Sequence, residues 1–469
     1  PTLKKGTHYW VPFFYIQEIM NKTYAYNCKV TANCLLVVYV NIKDKDDIVK
    51  FEISQYENKF KQCIKFLGEI HKDHTIVSFN GLNFDSQVIM YLIKSTDTLI
   101  NLTGGEIARK VFAFVEKLMK VKNEQGYTLY KINELPFKEI DIAAINNYNS
   151  NQKFASLKWV QYNMDWYNIM DTKHNSKTPL NMKEIIQLST YSINDCMSII
   201  KLLALNKKVI KAREDLSKHF NLPLQNLSEP KLVKAIMLDL LSKDMGIDAS
   251  ELKNMQTYRK HIYLGEVILK YITFSTRPLK DTLAKFSSLK LDANNLKGSF
   301  KHKVTYRGLE FSFALGGIHG AKRGSYKEGD QMVIKTFDAK SYYPKLMIKN
   351  KWSPAHIPSE VFCQRFEWFY NERIKYSKTD PINYLFKIIL NAGVGLSNEK
   401  NSFLRDSFLT MQITCNGQLL LVQLMEKLCE QIPGTRPIMV NTDGGEVVFP
   451  KEHEPLYDKI CAEWEKMTS

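Results

Sequence analysis

Val333-Ile334-Lys335-Thr336-Phe337-Asp338-Ala339-Lys340-Ser341-Tyr342-Tyr343-Pro344-Lys345-Leu346-Met347 reads as three consecutive pieces: a short β-branched strand ending on the carboxylate of Asp338, a turn carrying Ser341 and two tyrosines, and a helix opened by Pro344. An Asp at a strand end is ordinarily a turn or cap residue. A second stretch changes its meaning. Pro437-Ile438-Met439-Val440-Asn441-Thr442-Asp443-Gly444-Gly445-Glu446-Val447-Val448-Phe449 is another apolar strand, and it offers Asp443 at a hairpin-like Thr-Asp-Gly-Gly turn. Two carboxylates brought together on adjacent strands suit divalent metal held against phosphate oxygens.

Length and charge set the outer bounds. The 469 residues are too many for one core and predict two to four domains or subdomains. A hydrophobic fraction of 44% supplies ample core, and Lys+Arg 65 against Asp+Glu 49 gives a net charge of +16, which favours a polyanionic partner, nucleic acid being the commonest, although a merely soluble basic protein would carry the same charge. The eight cysteines form no C-x-x-C pair and sit in apolar contexts, which predicts reduced core residues and a cytoplasmic protein, not a zinc site or disulfide frame. No segment reaches membrane-spanning length, and the N-terminus carries no basic-then-apolar signal. A chain that starts at Pro1 without Met is expected to be a fragment or trimmed.

The first two hundred residues have α/β texture. Residues 33–40 form a near-continuous apolar run, a buried strand, and Val49 to Ile53 alternates as its partner. A helical stretch, Tyr56 to His71, leads to a strand at His74–Asn80, after which Asp85 stands where the chain turns helical, an N-cap on the plainest reading. Tyr191 and Asp195 lie four apart on one face of an apolar helix, where a carboxylate must be paired, bound to metal or costly. Residues 204–300 read as helical and basic, with Lys207, Lys208, Lys211, Arg213 and Lys218 as a solvated face and residues 290–303 as a linker or exposed hairpin. The Gly-dense run around Gly316 and Gly317, followed by Lys322 and Arg323, suits either close backbone approach to phosphates or a tight turn. Between the two organising strands lie a helix at about 361–377 and a second carrying Tyr384 to Asn391. Arg373, Lys387 and Asn391 can share one surface that suits a triphosphate, although a salt-bridged surface helix would use the same residues.

With these residues assembled, the chain resembles a family B DNA polymerase of the kind encoded by phages and other small replicons. Asp338 to Pro344 is similar to the family's motif A, with Tyr342 in place of Leu; Lys387 to Gly395 resembles motif B; Asn441-Thr442-Asp443-Gly444 resembles motif C. Gly316-Gly317 is similar to the Tyr-x-Gly-Gly linker that contacts template, Asn80-x-x-x-Phe84-Asp85 to the second exonuclease motif and Tyr191-x-x-x-Asp195 to the third. The resemblance implies an α/β and α+β multidomain chain: an RNase H-like 3′–5′ exonuclease domain at 1–205, a helical connecting region at 206–310, a right-hand palm at 311–360 and 406–469, and helical fingers at 361–405. It implies that Asp338 and Asp443 hold two divalent ions, Mg²⁺ or Mn²⁺. Lys387, Arg373, Asn391, Ser341 and Tyr343 then bind the incoming dNTP, with Tyr343 under the sugar. Gly316, Gly317, Lys322 and Arg323 meet primer–template DNA. Clamp, helicase or single-strand-binding proteins are the further partners it implies, in a cytoplasmic setting, the host cytoplasm for a phage protein.

The departures are specific. Asn441 stands where motif C has its first Asp, and Val394 replaces an aromatic of motif B. The first exonuclease motif, Asp-x-Glu, aligns with Asn27-Cys28-Lys29, and an amide with an ammonium cannot replace two carboxylate ligands. The expectation is a polymerase whose proofreading centre survives only as a remnant of Asn27, Lys29, Asp85, Tyr191 and Asp195. The family's thumb and Lys-x-Tyr segment are not visible before Ser469 and are expected to be absent or truncated. The competing expectation is a degraded, polymerase-like DNA-binding or replication-scaffold protein.

Overall fold

The run Cys34–Asn41 (β2) sends Leu35, Val37 and Tyr39 into one apolar core and Cys34, Leu36, Val38 and Val40 into another. Side chains alternate across a strand, so a strand without a polar face needs a layer on each side. The computed structural model describes residues 23–70, 74–131, 134, 137–149, 154–171, 175–329 and 331–468, and the chain divides into two compact units between Leu232 and Val233.

In the first unit β2 lies between β1 (Thr23–Thr31) and β3 (Ile48–Ser54), both antiparallel to it; β4 (Thr75–Ser78) runs parallel to β1, and β5 (Lys138–Asp141) parallel to β4. The sheet order is β3-β2-β1-β4-β5. Helices α1 (Phe60–Ile70), α2 (Asp85–Lys94) and α3 (Gly104–Gln125) supply one covering layer. The other comes from α4 (Leu157–Asn163) and α5 (Met182–Phe220), a 39-residue helix opened by an Asn181/Glu184 capping box. His71, the expected end of α1, lies outside the described residues. Because α5 continues to Phe220, Arg213 is not part of a solvated basic face as expected. It is 1% exposed, and its guanidinium donates to the carbonyls of Leu227 (2.6 Å) and Ile145 (3.0 Å). Lys207, Lys208 and Lys218 do face solvent.

The second unit contains a two-stranded ribbon, β6 (His261–Tyr263) with β7 (Lys290–Asp292), and an antiparallel six-stranded sheet. The latter comprises β8 (Lys301–Tyr306), β9 (Leu309–Ala314), β10 (Gly317–Ala321), β11 (Met332–Asp338), β12 (Arg436–Asn441) and β13 (Gly444–Pro450) in the order β11-β13-β12-β10-β9-β8. Residues 290–303 are therefore not a linker: they carry β7 and the start of an edge strand. Lys301, Lys303 and Thr305 face solvent there, which makes the strand look like loop.

The unit also contains helices α6 (Tyr342–Lys349), α7 (Ser359–Arg373), α8 (Pro381–Ser397), α9 (Ser407–Gln431) and α10 (Glu454–Thr468), among others. Helix α9 is buried along most of its length and packs on β10 and β12. Four of its buried polar side chains bond main-chain groups of other segments. Asn416 binds the backbone at Val267 and Leu269, Gln418 the backbone of Ala314, Gln423 the carbonyl of Thr273, and Glu426 the amides of Ser275 and Thr276. The chain is thus a mixed α/β molecule of more than one unit. Among the described residues no helix is long and apolar enough to cross a membrane, and seven of the eight unpaired cysteines are buried.

Candidate active site

Asp338 closes β11, and its register partner on β13 is Gly444, the residue after Asp443. The strand that brings the two carboxylates together is therefore the one following the Asp443 turn; β12, which precedes it, pairs with β10 and β13 instead. Thr442 and Asp443 form the two-residue loop of the β12–β13 hairpin, with the positive φ of 55° on Thr442, a β-branched residue. The Ala339 N–H donates to the Asp443 carbonyl at 2.9 Å. Gly444 is required by contact: a Cβ there would stand 2.4 Å from the Phe337 carbonyl oxygen.

After Asp338 the chain turns through Ser341, also left-handed at φ 53°, into α6. Tyr342 is buried and donates to the Gly417 carbonyl at 2.7 Å; the Tyr343 ring lies so close to α9 that a Cβ on Gly417 would meet it at 2.5 Å. The Tyr343 hydroxyl reaches the Thr442 carbonyl at 3.4 Å, tying the two carboxylate-bearing turns together, and burial raises its pKa. Opposite, Arg373 donates from Nη1 to Ser341 Oγ at 2.7 Å and from Nε to Asn383 Oδ1 at 3.2 Å.

These groups line one cavity of about 1050 Å³, which holds Asp338, Asp443, Ser341, Tyr343, Gly316, Arg373, Lys387 and Asn391 together. Burial and the charge of Asp338 raise the Asp443 pKa, while Lys387 opposes the shift. Residues that the sequence reading did not single out also face this space: Lys297, Lys301, Lys340, Lys378 and Tyr384. Tyr384, Lys387, Asn391, Gly395 and Asn398 recur at helical spacing, and that periodicity was the available signal. Among the described residues none of Lys297, Lys301, Lys340, Lys378 and Lys387 is in an ion pair, so six cations with Arg373 face two carboxylates. The surplus positive charge suits a polyanion.

Other expected residues fall elsewhere. Gly317 fits beneath the Asp443 turn, where a Cβ would meet Thr442 Oγ1 at 3.1 Å. Lys322 and Arg323, beyond the far end of β10, are exposed and do not line the cavity. Asn441 lines a separate shallow groove with His319 and Ser312, so a carboxylate at that position would not face the same space as Asp338. Among the described residues no group of three or more His, Cys, Asp or Glu side chains is placed to hold a metal. The Asp338–Asp443 pair nevertheless fits Mg²⁺, which is commonly held by one or two carboxylates with substrate phosphates completing its shell. Their mutual repulsion is what a cation would relieve.

In the first unit, Asn27, Lys29, Asp85, Tyr191 and Asp195 also converge. Lys29 Nζ lies 2.8 Å from Asp195 Oδ2 and 4.4 Å from the Tyr191 ring centroid. Burial pulls the Lys29 pKa down, but Asp195, then Tyr191, outweigh it and leave the ammonium above its ordinary value. Asn27 accepts from Ser192 at 3.2 Å. Asp85 is not a helix cap: its Oδ1 accepts the Cys28 amide at 2.5 Å, and burial holds its pKa up at about 6. Gln161 of α4 completes the surroundings of Asp195.

Two further buried carboxylates, Glu139 and Asp141 on β5, went unread because Lys-Glu-Ile-Asp looks like a solvated strand. Asp141 accepts the amides of Asn80, Leu82, Ala143 and Ala144. Glu139 meets the hydroxyls of Ser78 (2.5 Å) and Ser86, and burial followed by the charge of Asp141 raises its pKa to about 8. The folded state then holds a proton that the unfolded chain releases near pH 4.5, so stability should fall as pH rises from about 4.5 to about 8. Glu139→Gln is expected to flatten that decline, measured as hydrogen exchange of the β4 and β5 amides; an unchanged pH slope would refute it.

No protein-family model and no curated protein sequence matches the chain. Among solved structures, a family B DNA polymerase from the hyperthermophilic archaeon Pyrobaculum calidifontis is similar at 14% identity and a TM-score of 0.48, over 94% of this chain. The chain spans 55% of the length of that structure.

Proposed function

We propose that the chain is a template-directed DNA polymerase that adds deoxynucleotides to a primer 3′-hydroxyl. The observation that carries this reading is the pairing of Asp338 with Asp443 at one wall of a cavity whose other walls present Lys387, Arg373 and Asn391. In this reading the palm is divided between 311–360 and 406–469, which carry β10 to β13 and the end of β9, and 361–405 are the fingers. Residues 1–205 are an exonuclease-like domain and 206–310 a connecting region.

Asp338 and Asp443 would hold Mg²⁺ or Mn²⁺, which would activate the 3′-hydroxyl and neutralise the leaving pyrophosphate. The remaining work belongs to the chain. Lys387 and Arg373 bind the triphosphate, and Arg373 is kept in place by Ser341 and Asn383. Asn391, one helical turn after Lys387, orients the nucleotide. Tyr343, backed by Gly417, forms a flat floor under the sugar that excludes a 2′-hydroxyl. Proofreading is lost, because the Lys29 ammonium occupies the environment of Asp195 that a metal would need.

Primer extension on a labelled primer–template with Mg²⁺ and dNTPs tests the reading, with a parallel lane lacking dNTPs to detect shortening. Template-dependent extension without shortening is expected. Lys387→Ala should raise the KM for dNTP by about 10–100-fold, as expected when one charge-assisted hydrogen bond to phosphate, worth roughly 1.5–3 kcal/mol, is removed. Tight DNA binding with no extension in either metal would overturn the assignment.

A further inference from the structure

Beside the main cavity lies a smaller pocket of about 150 Å³, joined to it through Lys297 and Asn398, which line both. Its other walls include Asn294, Asn295, Lys400 and Arg405, so three cations and three amides surround a space too small for a nucleotide but large enough for a phosphate. Of the acids nearby in sequence, Asp292 accepts the Asn294 amide and does not line the pocket, and the other two are paired elsewhere. Glu399 is drawn off to Lys234 at 2.5 Å, and Asp406 to Arg259 at 2.9 Å, where it also caps α9. Among the described residues the Arg405 guanidinium enters no ion pair; it donates to the side-chain oxygen Oδ1 of Asn294 at 3.4 Å and stacks at 5.2 Å over Tyr258, a residue 73% exposed. Lys297 and Lys400 enter no ion pair among the described residues.

We propose that this pocket binds a backbone phosphate of an unpaired nucleic-acid strand, the single-stranded template ahead of the polymerising site, with Tyr258 available to stack a neighbouring base. The inference rests on the polymerase reading for the strand's identity. Unneutralised cations beside an exposed aromatic suit a flexible strand, because the backbone meets the charges while a splayed base meets the ring. A duplex offers no free base to Tyr258. A free phosphate ion would satisfy the cations alone.

Anisotropy of the full chain with labelled hairpin duplexes bearing no overhang, or 5′ overhangs of two and six nucleotides, tests this without metal or dNTP. The wild type should bind the longest overhang about tenfold more tightly than the blunt hairpin. Lys400→Ala and, separately, Arg405→Gln should each remove most of that gain. Affinity for the blunt hairpin should stay unchanged, which also reports that the variants are folded. The salt slope for the overhung substrate should fall by about 0.7 for each phosphate that a variant no longer neutralises. Equal weakening on blunt and overhung substrates, no weakening, or a wild type indifferent to overhang would overturn the subsite while leaving the polymerase reading standing. Inorganic phosphate that abolishes the overhang gain at constant ionic strength would reassign the pocket to free phosphate. A wild type that binds no hairpin would overturn both readings.

Discussion

Asp338→Asn should reduce primer extension by about 10³-fold or more, a loss of roughly 4 kcal/mol of transition-state stabilisation, while primer–template affinity measured without metal stays equal or becomes tighter. The two halves of this result have one cause. Asp338 and Asp443 are the negative groups in a cavity otherwise lined by unpaired cations, so in the absence of metal they repel the phosphates that the lysines attract. Removing one carboxylate removes half of that repulsion and also half of the carboxylate pair that, among the described residues lining the cavity, could hold a divalent ion. Loss of extension together with loss of binding would instead mean that Asp338 maintains the fold of the turn. Its position makes that outcome unexpected: β11 is held to β13 by main-chain pairing, and the Ala339 N–H uses the Asp443 backbone, not the side chain of Asp338. Wild-type extension by the variant would sink the proposed role outright.

Lys29→Met should destabilise the first unit by about 3–5 kcal/mol, far more than an exposed ion pair is worth. The Lys29 side chain is 21% exposed and that of Asp195 only 3%. Without the ammonium, Asp195 keeps a weak amide donor in Gln161 at 3.3 Å and must either remain charged in an apolar helix or take up a proton. Adding Asp195→Leu to Lys29→Met should recover most of the loss, since an apolar pair of similar volume carries no desolvation cost. Denaturant melts followed through β1 and α5 amide exchange would measure both. A single-variant cost below about 1 kcal/mol would show that the pair behaves as an exposed surface pair. Because a lysine already fills this environment, Mn²⁺ should give the wild-type β1 amides no added protection.

How much of this was legible beforehand depended on whether a residue's task left a pattern. Asp195 declared itself because a carboxylate inside an apolar helix needs a partner, whereas Lys29 came to notice only through the resemblance of Asn27-Cys28-Lys29 to an exonuclease motif. The motif around Asp338 was readable because strand, turn and helix each carry their own residue preferences. Arg373 and Lys387 were readable as a pair of cations, but Lys297 and Lys301 were not: they reach the same cavity from segments far away in sequence that look like polar loop. Strand β8 hid because one of its faces meets water and only Val304 and Tyr306 are apolar. The polar residues of α9 hid for the opposite reason. Asn416, Gln418 and Gln423 resemble an exposed stripe, yet they are buried and spent on main-chain groups of distant segments. Glu139 and Asp141 failed the same way, since a charged strand is ordinarily a wet one.

The meeting of the β11 end with the Asp443 turn is specified mainly by main-chain atoms: a strand register, one amide-to-carbonyl bond and a glycine whose missing side chain permits the approach. Such a junction asks little of its neighbours' identities beyond hydrogen at one α-carbon and carboxylates at two positions. The surrounding sequence is thus free to drift, while the two acids are returned to the same place by geometry common to every polypeptide. A chain built this way can change most of its side chains and still hold two carboxylates at one place.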